Sequence, residues 1–134
     1  MKSLKKEVLL KKRSKDGAEC AGPYSTAVRF GNLVFIAGQA PLDLKTVEIV
    51  GETIEEQTAA TLDGLKTVLE DIGTSLDNVL NVTVYMTDMS EWDRMNKVYA
   101  KYFPNNFPAR TAVSTGPLWG GIKIEIQAVA CIPD

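Results

Sequence analysis

Two charged residues in the last quarter of the chain, Arg110 and Glu125, are of the types that a small hydrolytic site requires. The arginine side chain is a planar fork that binds a carboxylate with two N–H groups and stays charged at physiological pH. A glutamate carboxylate can hold a water molecule against an electrophilic carbon and accept its proton. The pair could therefore bind and hydrolyse a carboxylate-bearing molecule, and an ordinary salt bridge between two strands is the alternative.

The chain has no histidine among its 134 residues. That absence excludes a Ser-His-Asp triad, a Cys-His pair and a histidine-type metal site. The two cysteines, Cys20 and Cys131, are far apart in sequence, so neither a zinc site nor a disulfide framework is expected. We therefore predict no metal, and any chemistry must use carboxylates, Arg, Lys, Tyr, backbone groups and water.

Arg110 and Glu125 fall on two strand-like segments. The pattern predicts that Arg110–Thr115 and Ile122–Cys131 pair as a hairpin around a glycine-rich loop. In the natural register Arg110 lies opposite Gln127, and Glu125 is its diagonal neighbour on the same face, roughly 7–8 Å away between Cα atoms. A slip of one residue would place the two side chains on opposite faces.

An amphipathic helix is predicted over about 53–72. Thr53 and Glu56 form a capping box, in which each side chain can bind a backbone amide that the first turn leaves free. Leucine and isoleucine side chains then recur at three- and four-residue steps, and Gly73 supplies a stop.

A second helix is predicted over about 90–103, with Ser90 or Asp88 as its cap and Pro104 at its end. Its apolar stripe should face the core. The side chains predicted to point inward are Trp92, Met95, Tyr99 and Phe103.

The remaining segments have the composition and alternation of strands. A glycine-asparagine pair, Gly31-Asn32, predicts a type II′ turn between two of them. The predicted strands lie at about 6–10, 24–30, 33–39 and 80–86, and 41–51 is a predicted loop in which 47–50 is a candidate for a further short strand. The strand at 80–86 alternates, which predicts that one face is buried, and that face consists of Leu80, Val82, Val84 and Met86.

The predicted order is β-β-β-α-β-α-β-β, which makes the fold class α+β, with two helices on one face of a mixed β-sheet. Two helices cover only one face, and the other carries apolar as well as polar side chains. Such a half-apolar face is usually hidden by self-association, so we expect an oligomer.

The length predicts one domain over 1–134, and no apolar stretch is long enough to span a membrane. No apolar signal region follows the first residues, which favours the cytosol. The first fifteen residues hold seven basic side chains and one acidic one, so 1–16 is a basic arm or strand. A solvated edge strand is the preferred interpretation, and a nucleic-acid partner is the less favoured one.

Several segments together resemble one family. The run Asn106–Val113 followed by Ile124-Glu125-Ile126 is similar to the signature of the RidA/YjgF (translation-inhibitor L-PSP) family. The runs 21–25 (AGPYS) and 35–41 (FIAGQAP) resemble its two N-terminal motifs, and 96–104 resembles its second helix. The similarity covers nearly the whole chain from about residue 17, in the family's order.

The resemblance implies a chorismate-mutase-like fold that assembles as a homotrimer, with a ligand cleft at each interface between subunits. It also implies hydrolytic deamination of 2-aminoacrylate-type enamines or imines to 2-keto acids and ammonia, without metal or organic cofactor. The expected ligand is thus a small imine, enamine or keto acid that bears a carboxylate. Since an imine is already electrophilic, a residue set without histidine suffices for its hydrolysis.

By the same resemblance, Arg110 holds the substrate carboxylate and Glu125 positions or activates the attacking water. Tyr24 lines the pocket, Ala37 and Gly38 lie against the substrate, with Gly38 lending backbone contacts, and Asn96 forms a polar wall. Each has a structural alternative: a strand aromatic for Tyr24, a β-bulge for Gly38 and a surface polar residue for Asn96. Trp119 is either a rim residue of the pocket or an anchor of its loop.

The chain departs from the family pattern at three positions. Ala37 stands where many members carry serine, Ala112 where many carry cysteine, and Gln127 where a second glutamate is common. A 2-aminomuconate-type deaminase, a small-carboxylate-binding regulator and an endoribonuclease are therefore kept as alternatives. The excess of acidic over basic side chains after residue 15 and the lack of histidine argue against the ribonuclease.

Overall fold

The computed structural model describes residues 4–134, so the first three residues of the predicted basic arm lie outside it. Two helices pack on one face of a six-stranded sheet, with the strands in the spatial order β1-β2-β3-β6-β4-β5. The helices are α1 (Ile54–Asp71) and α2 (Trp92–Tyr102). The strands are β1 (Glu7–Leu10), β2 (Ala27–Phe30), β3 (Leu33–Gln39), β4 (Val79–Met86), β5 (Ala109–Ser114) and β6 (Ile124–Cys131).

The sheet is mixed because β4 and β5 run parallel while every other neighbouring pair is antiparallel. This confirms the predicted fold class and element order. Gly31 in the β2–β3 turn has a φ of +62°, as the first position of the predicted type II′ turn requires. β1 lies at one edge of the sheet, and the exposed side chains of Lys5 and Lys6 precede it.

The predicted hairpin between the last two strands is wrong. β6 inserts between β3 and β4, whereas β5 pairs only with β4 at the far edge of the sheet. β6 takes the central place because one of its faces is wholly apolar and needs cover along its full length. That face packs under α1 and consists of Ile124, Ile126, Ala128 and Ala130.

The core lies between the sheet and the two helices. The capping box of α1 is present: Thr53 Oγ1 accepts from the Glu56 amide at 3.1 Å, and Glu56 Oε1 accepts from the Thr53 amide at 3.1 Å. α1 therefore begins and ends within a residue of the predicted bounds. Its fully buried apolar side chains are Ile54, Leu62, Leu65, Val68 and Leu69.

Two strand predictions need correction. The strand expected from Tyr24 begins only at Ala27, and the short strand expected at 47–50 does not form. Val47 has a φ of +65°, which breaks the extended conformation, and a single bridge between Leu42 and Ile49 is all that remains.

Two side chains predicted to be buried are exposed instead. A register shift between β4 and β6 at Val79/Asn81 turns Leu80 out of the core, although the alternation holds from Val82 onward. On α2, Met95, Tyr99 and Phe103 are buried as predicted, but Trp92 is 37% exposed.

The face of the sheet that the helices leave open is partly apolar. Phe30, Leu33 and Phe35 are exposed on it, and Phe35 has 47% of its surface accessible. In the part of the chain from residue 4 onward, neither helix is long and apolar enough to cross a membrane.

Candidate functional site

Arg110 lies in a pocket between α2 and the β5 edge of the sheet. It pairs with the buried Val82 of β4, so its side chain points to the face that the helices cover. The pocket has a volume of about 310 Å³, which is at the lower end of the range for small-molecule sites. We call it the arginine pocket, and it is lined by Asn96, Tyr99, Ala100, Phe107, Pro108 and Arg110.

The guanidinium of Arg110 is held in place by three side chains of α2. Nη1 donates to Asn96 Oδ1 at 2.8 Å, and Cζ lies 4.9 Å from the ring centroid of Trp92 and 4.6 Å from that of Tyr99. Each cation–π contact contributes about 0.5–2 kcal/mol. Within residues 4–134 Arg110 forms no salt bridge, so its charge is available to an external carboxylate.

The sequence pattern predicted only a core position for Trp92 and Tyr99, and their contacts with Arg110 were not predicted. The signal was their spacing around Asn96. Positions four before and three after Asn96 lie on the same helix face, so the three side chains form one platform.

Tyr99 keeps that platform neutral. Burial raises the pKa of the Tyr99 phenol, and the charge of Arg110 opposes this rise only in part. The phenol therefore stays protonated at neutral pH, and its ring remains an uncharged support beneath the guanidinium.

Glu125 lies on the opposite, open face of the sheet. Glu125 pairs with Tyr85 of β4, whereas Arg110 pairs with Val82. Val82 and Tyr85 are three residues apart, and side chains an odd number of residues apart on a strand point to opposite faces of the sheet. The prediction that Arg110 and Glu125 share a face is therefore wrong for a single chain. The cause is the parallel β4–β5 pairing, which replaces the expected hairpin register.

Gly38 lies directly against Glu125. The β3–β6 register shifts between Ile36 and Gln39, which confirms the bulge that was one interpretation of Gly38. A Cβ atom at position 38 would overlap Oε2 of Glu125, so a larger residue there would displace the carboxylate from its present position. Tyr24 lies near Gly38, since both line one small crevice. We call Gly38, its neighbour Glu125 and Tyr24 the glutamate cluster.

Burial raises the pKa of the Glu125 carboxyl above its usual value of 4.5. The side chain is half-buried against the sheet, and loss of hydration disfavours its charged form. A carboxylate with a raised pKa is a stronger base than an exposed one, which suits it to take a proton from water.

Of the other predicted site residues, Tyr24 and Ala37 lie near Gly38, and Trp119 lines neither the arginine pocket nor the crevice at Gly38. Tyr24 lies in the loop before β2 and lines a small crevice with Gly38. Ala37 is half-buried in the bulge, and its amide donates to Thr26 O at 2.9 Å. Trp119 is 61% exposed and is not among the residues that line the arginine pocket.

Comparison with known proteins places the chain in a family. The family model described as Endoribonuclease L-PSP matches residues 15–132. A RutC family protein of Pyrococcus horikoshii is 50% identical over 109 residues, which cover 81% of this chain and 86% of the relative. The chloroplastic Reactive Intermediate Deaminase A of Arabidopsis thaliana is 36% identical over 131 residues, covering 97% of this chain and 68% of the relative.

Solved structures of similar proteins have the same fold. The structure of YEO7 from yeast superimposes with a TM-score of 0.89 at 29% identity, covering 96% of this chain and 100% of the other. The structure of Escherichia coli TdcF with bound serine superimposes with a TM-score of 0.83 at 29% identity, covering 93% and 98%. The chain therefore belongs to the RidA/YjgF family, which the endoribonuclease L-PSP model describes.

Proposed function

We propose that the protein is a hydrolytic deaminase that converts reactive enamines or imines of the 2-aminoacrylate type to 2-keto acids and ammonia. The observation that carries this proposal is the Arg110 guanidinium, oriented by Asn96 and two aromatic rings and without a salt-bridge partner in residues 4–134. An arginine prepared in this way is a receptor for a small carboxylate. The similar plant protein named as a reactive intermediate deaminase supports the reaction class.

In the proposed reaction Arg110 holds the carboxylate of the substrate, and the enamine tautomerises to its imine. Glu125 takes a proton from a water molecule as the water oxygen bonds to the C=N carbon. Glu125 returns that proton to the imine nitrogen, which gives a carbinolamine. The carbinolamine hydroxyl then passes its proton through Glu125 to the nitrogen as the C–N bond breaks and the C=O of the 2-keto acid forms, so the nitrogen leaves as ammonia. No electrons are gained or lost, so no redox cofactor is required.

The site requires two copies of the chain. Arg110 and Glu125 lie on opposite faces of one sheet, so a single small ligand reaches both only when the arginine pocket of one copy meets the glutamate cluster of another. The contact is between two different surfaces, and such contacts generate a closed ring when the rotation between neighbouring copies closes. We propose a homotrimer, the assembly that the family resemblance implies.

Sedimentation equilibrium at micromolar concentration is expected to give three times the chain mass of 14.6 kDa. Closure of the ring would cover the exposed phenylalanines and leucine of the open face, which favours association. A stable monomer would contradict the shared site, because neither half of it would then have its partner.

The activity is tested by coupling candidate imines to ammonia release. The imines are generated in place from amino acids by an amino acid oxidase, and 2-aminomuconate is supplied as a second substrate class. Arg110→Ala is the inactive control.

The reaction is expected to proceed unchanged in EDTA, and loss of turnover that a divalent ion restores would contradict a metal-free mechanism.

The acid limb of the kcat/KM profile is expected to follow Glu125. The base must be ionised, and burial raises its pKa, so activity falls as pH drops through a value above 4.5. The limb should disappear in Glu125→Gln, which has no titrating carboxyl. A limb unchanged in that variant would assign the titration to another group.

The departures from the family pattern bear on the substrate. Ala37 and Ala112 lack the hydroxyl and thiol of many members, which removes a hydrogen bond worth about 1 kcal/mol if the ligand uses it. Gln127 accepts from the Tyr85 hydroxyl at 3.1 Å on the open face. A longer unsaturated substrate such as 2-aminomuconate therefore remains the second candidate.

The cytosolic location stays a prediction. Similar proteins include one named as chloroplastic from Arabidopsis thaliana and one named as mitochondrial from Schizosaccharomyces pombe. Fractionation of the producing cell with antibody detection checks it.

A further inference from the structure

Three residues that line the arginine pocket are apolar and have no part in the reaction proposed above. Ala100, Phe107 and Pro108 line the same pocket as Arg110, so a ligand held by the guanidinium lies within their reach. We call these three residues the apolar wall. In the part of the chain from residue 4 onward, Arg110 is the only charged residue that lines this pocket. The pocket therefore combines one cation with an apolar surface.

Phe107 is the most exposed part of the apolar wall. It is 74% exposed, the highest value among the large apolar side chains of residues 4–134. Its backbone is restricted on both sides, because Asn106 has a φ of +50° and a proline limits the residue before it. An aromatic ring held in water in this way gains free energy when the apolar surface of a ligand covers it.

The arginine pocket is larger than a carboxylate alone requires. Its volume of about 310 Å³ is ten times the share that one water molecule has in the liquid, about 30 Å³. Room therefore remains, beside a carboxylate bound to Arg110, for a side chain of several carbons. A second carboxylate in that room would lose its hydration and find no cation, since the charge of Arg110 is already paired with the first.

We propose that the apolar wall selects substrates whose side chain is apolar and several carbons long, which makes the preferred substrates imines and enamines of aliphatic amino acids. This rests on the proposed function. Arg110 holds the carboxylate, and the substrate side chain packs against the ring of Phe107 and the methyl group of Ala100. Phe107 is then a specificity-determining residue, and 2-aminomuconate, which bears a second carboxylate, is disfavoured.

The test compares keto acids, the products of the proposed reaction, which bind without turnover. Pyruvate has a methyl group as its side chain, 2-oxopentanoate has a propyl group, and 2-oxoglutarate has as many carbons as 2-oxopentanoate but ends in a second carboxylate. Calorimetry measures their binding to the native protein, to Phe107→Ala and to the conservative variant Phe107→Leu. Trp119→Ala is the matched control, because it removes an exposed aromatic ring that lies outside the pocket.

The native protein is expected to bind 2-oxopentanoate about tenfold more tightly than pyruvate, since each further buried carbon increases affinity about fourfold. It should also bind 2-oxopentanoate more tightly than 2-oxoglutarate. Phe107→Ala should reduce the preference over pyruvate to about threefold or less, while the affinity for pyruvate stays within about twofold of the native value. Phe107→Leu and Trp119→Ala should keep most of the preference.

Equal binding of pyruvate and 2-oxopentanoate, tighter binding of 2-oxoglutarate, or a preference that survives Phe107→Ala would overturn the role of the apolar wall. Sedimentation equilibrium of Phe107→Ala is measured as well, and a smaller assembly than the native one would make Phe107 an interface residue instead. If pyruvate then still binds and Arg110→Ala abolishes its binding, the proposed function stands without this specificity. If no keto acid binds, both proposals fail.

Discussion

Glu125→Gln is expected to lower kcat about 100-fold or more while 2-keto acids still bind. Glutamine keeps the shape of the side chain and its contact with Gly38, but it cannot take a proton from water. General-base assistance is typically worth a factor of 10² to 10⁴. The measurement is kcat from ammonia release, with keto-acid affinity from calorimetry on the same preparation.

The fold should survive this change. Burial raises the pKa of Glu125, so its ionised form weakens the folded state once pH rises above the carboxyl's usual value. An uncharged glutamine removes that cost, and the thermal midpoint at pH 7 should be equal or higher. Glu70→Gln, an exposed change on α1, is the matched control. Normal turnover by Glu125→Gln would make the cleft a binding site, or one whose water is placed by the backbone.

Arg110→Lys is expected to weaken keto-acid binding about 10- to 100-fold and to lower kcat with it. Lysine keeps the charge but lacks the planar fork, so it loses the paired hydrogen bonds to a carboxylate. Hydrogen bonds to charged groups contribute about 1.5–3 kcal/mol, and each 1.4 kcal/mol is a factor of ten in affinity. An ammonium also has no flat surface to lie against the rings of Trp92 and Tyr99.

Arg94→Lys is the control for that experiment. Arg94 is also on α2, but its side chain is exposed and pairs with Glu55 and Glu91. The same chemical change there should leave keto-acid affinity and kcat within about twofold of the native values, since surface pairs contribute little. Equal losses in both variants would indicate general damage to α2, and unchanged binding in Arg110→Lys would remove Arg110 as the carboxylate receptor.

The sequence alone determined the kind and order of the helices and strands. Thr53 and Glu56 placed the start of α1 because a capping box acts within one turn. Alternation along β6 identified its buried face because successive side chains on a strand point to opposite sides. The family motifs also selected Arg110, Glu125 and Gly38 as the chemical candidates.

Only the tertiary structure decided which strands pair and which residues meet. Strand pairing depends on how completely distant apolar faces cover one another, so the local pattern could not show that β6 lies between β3 and β4. This strand order puts Arg110 and Glu125 on opposite faces of the sheet. In the folded chain Trp92 contacts the guanidinium of Arg110. Periodicity determines which side of a strand is buried, but the register between strands determines which side chains share a site.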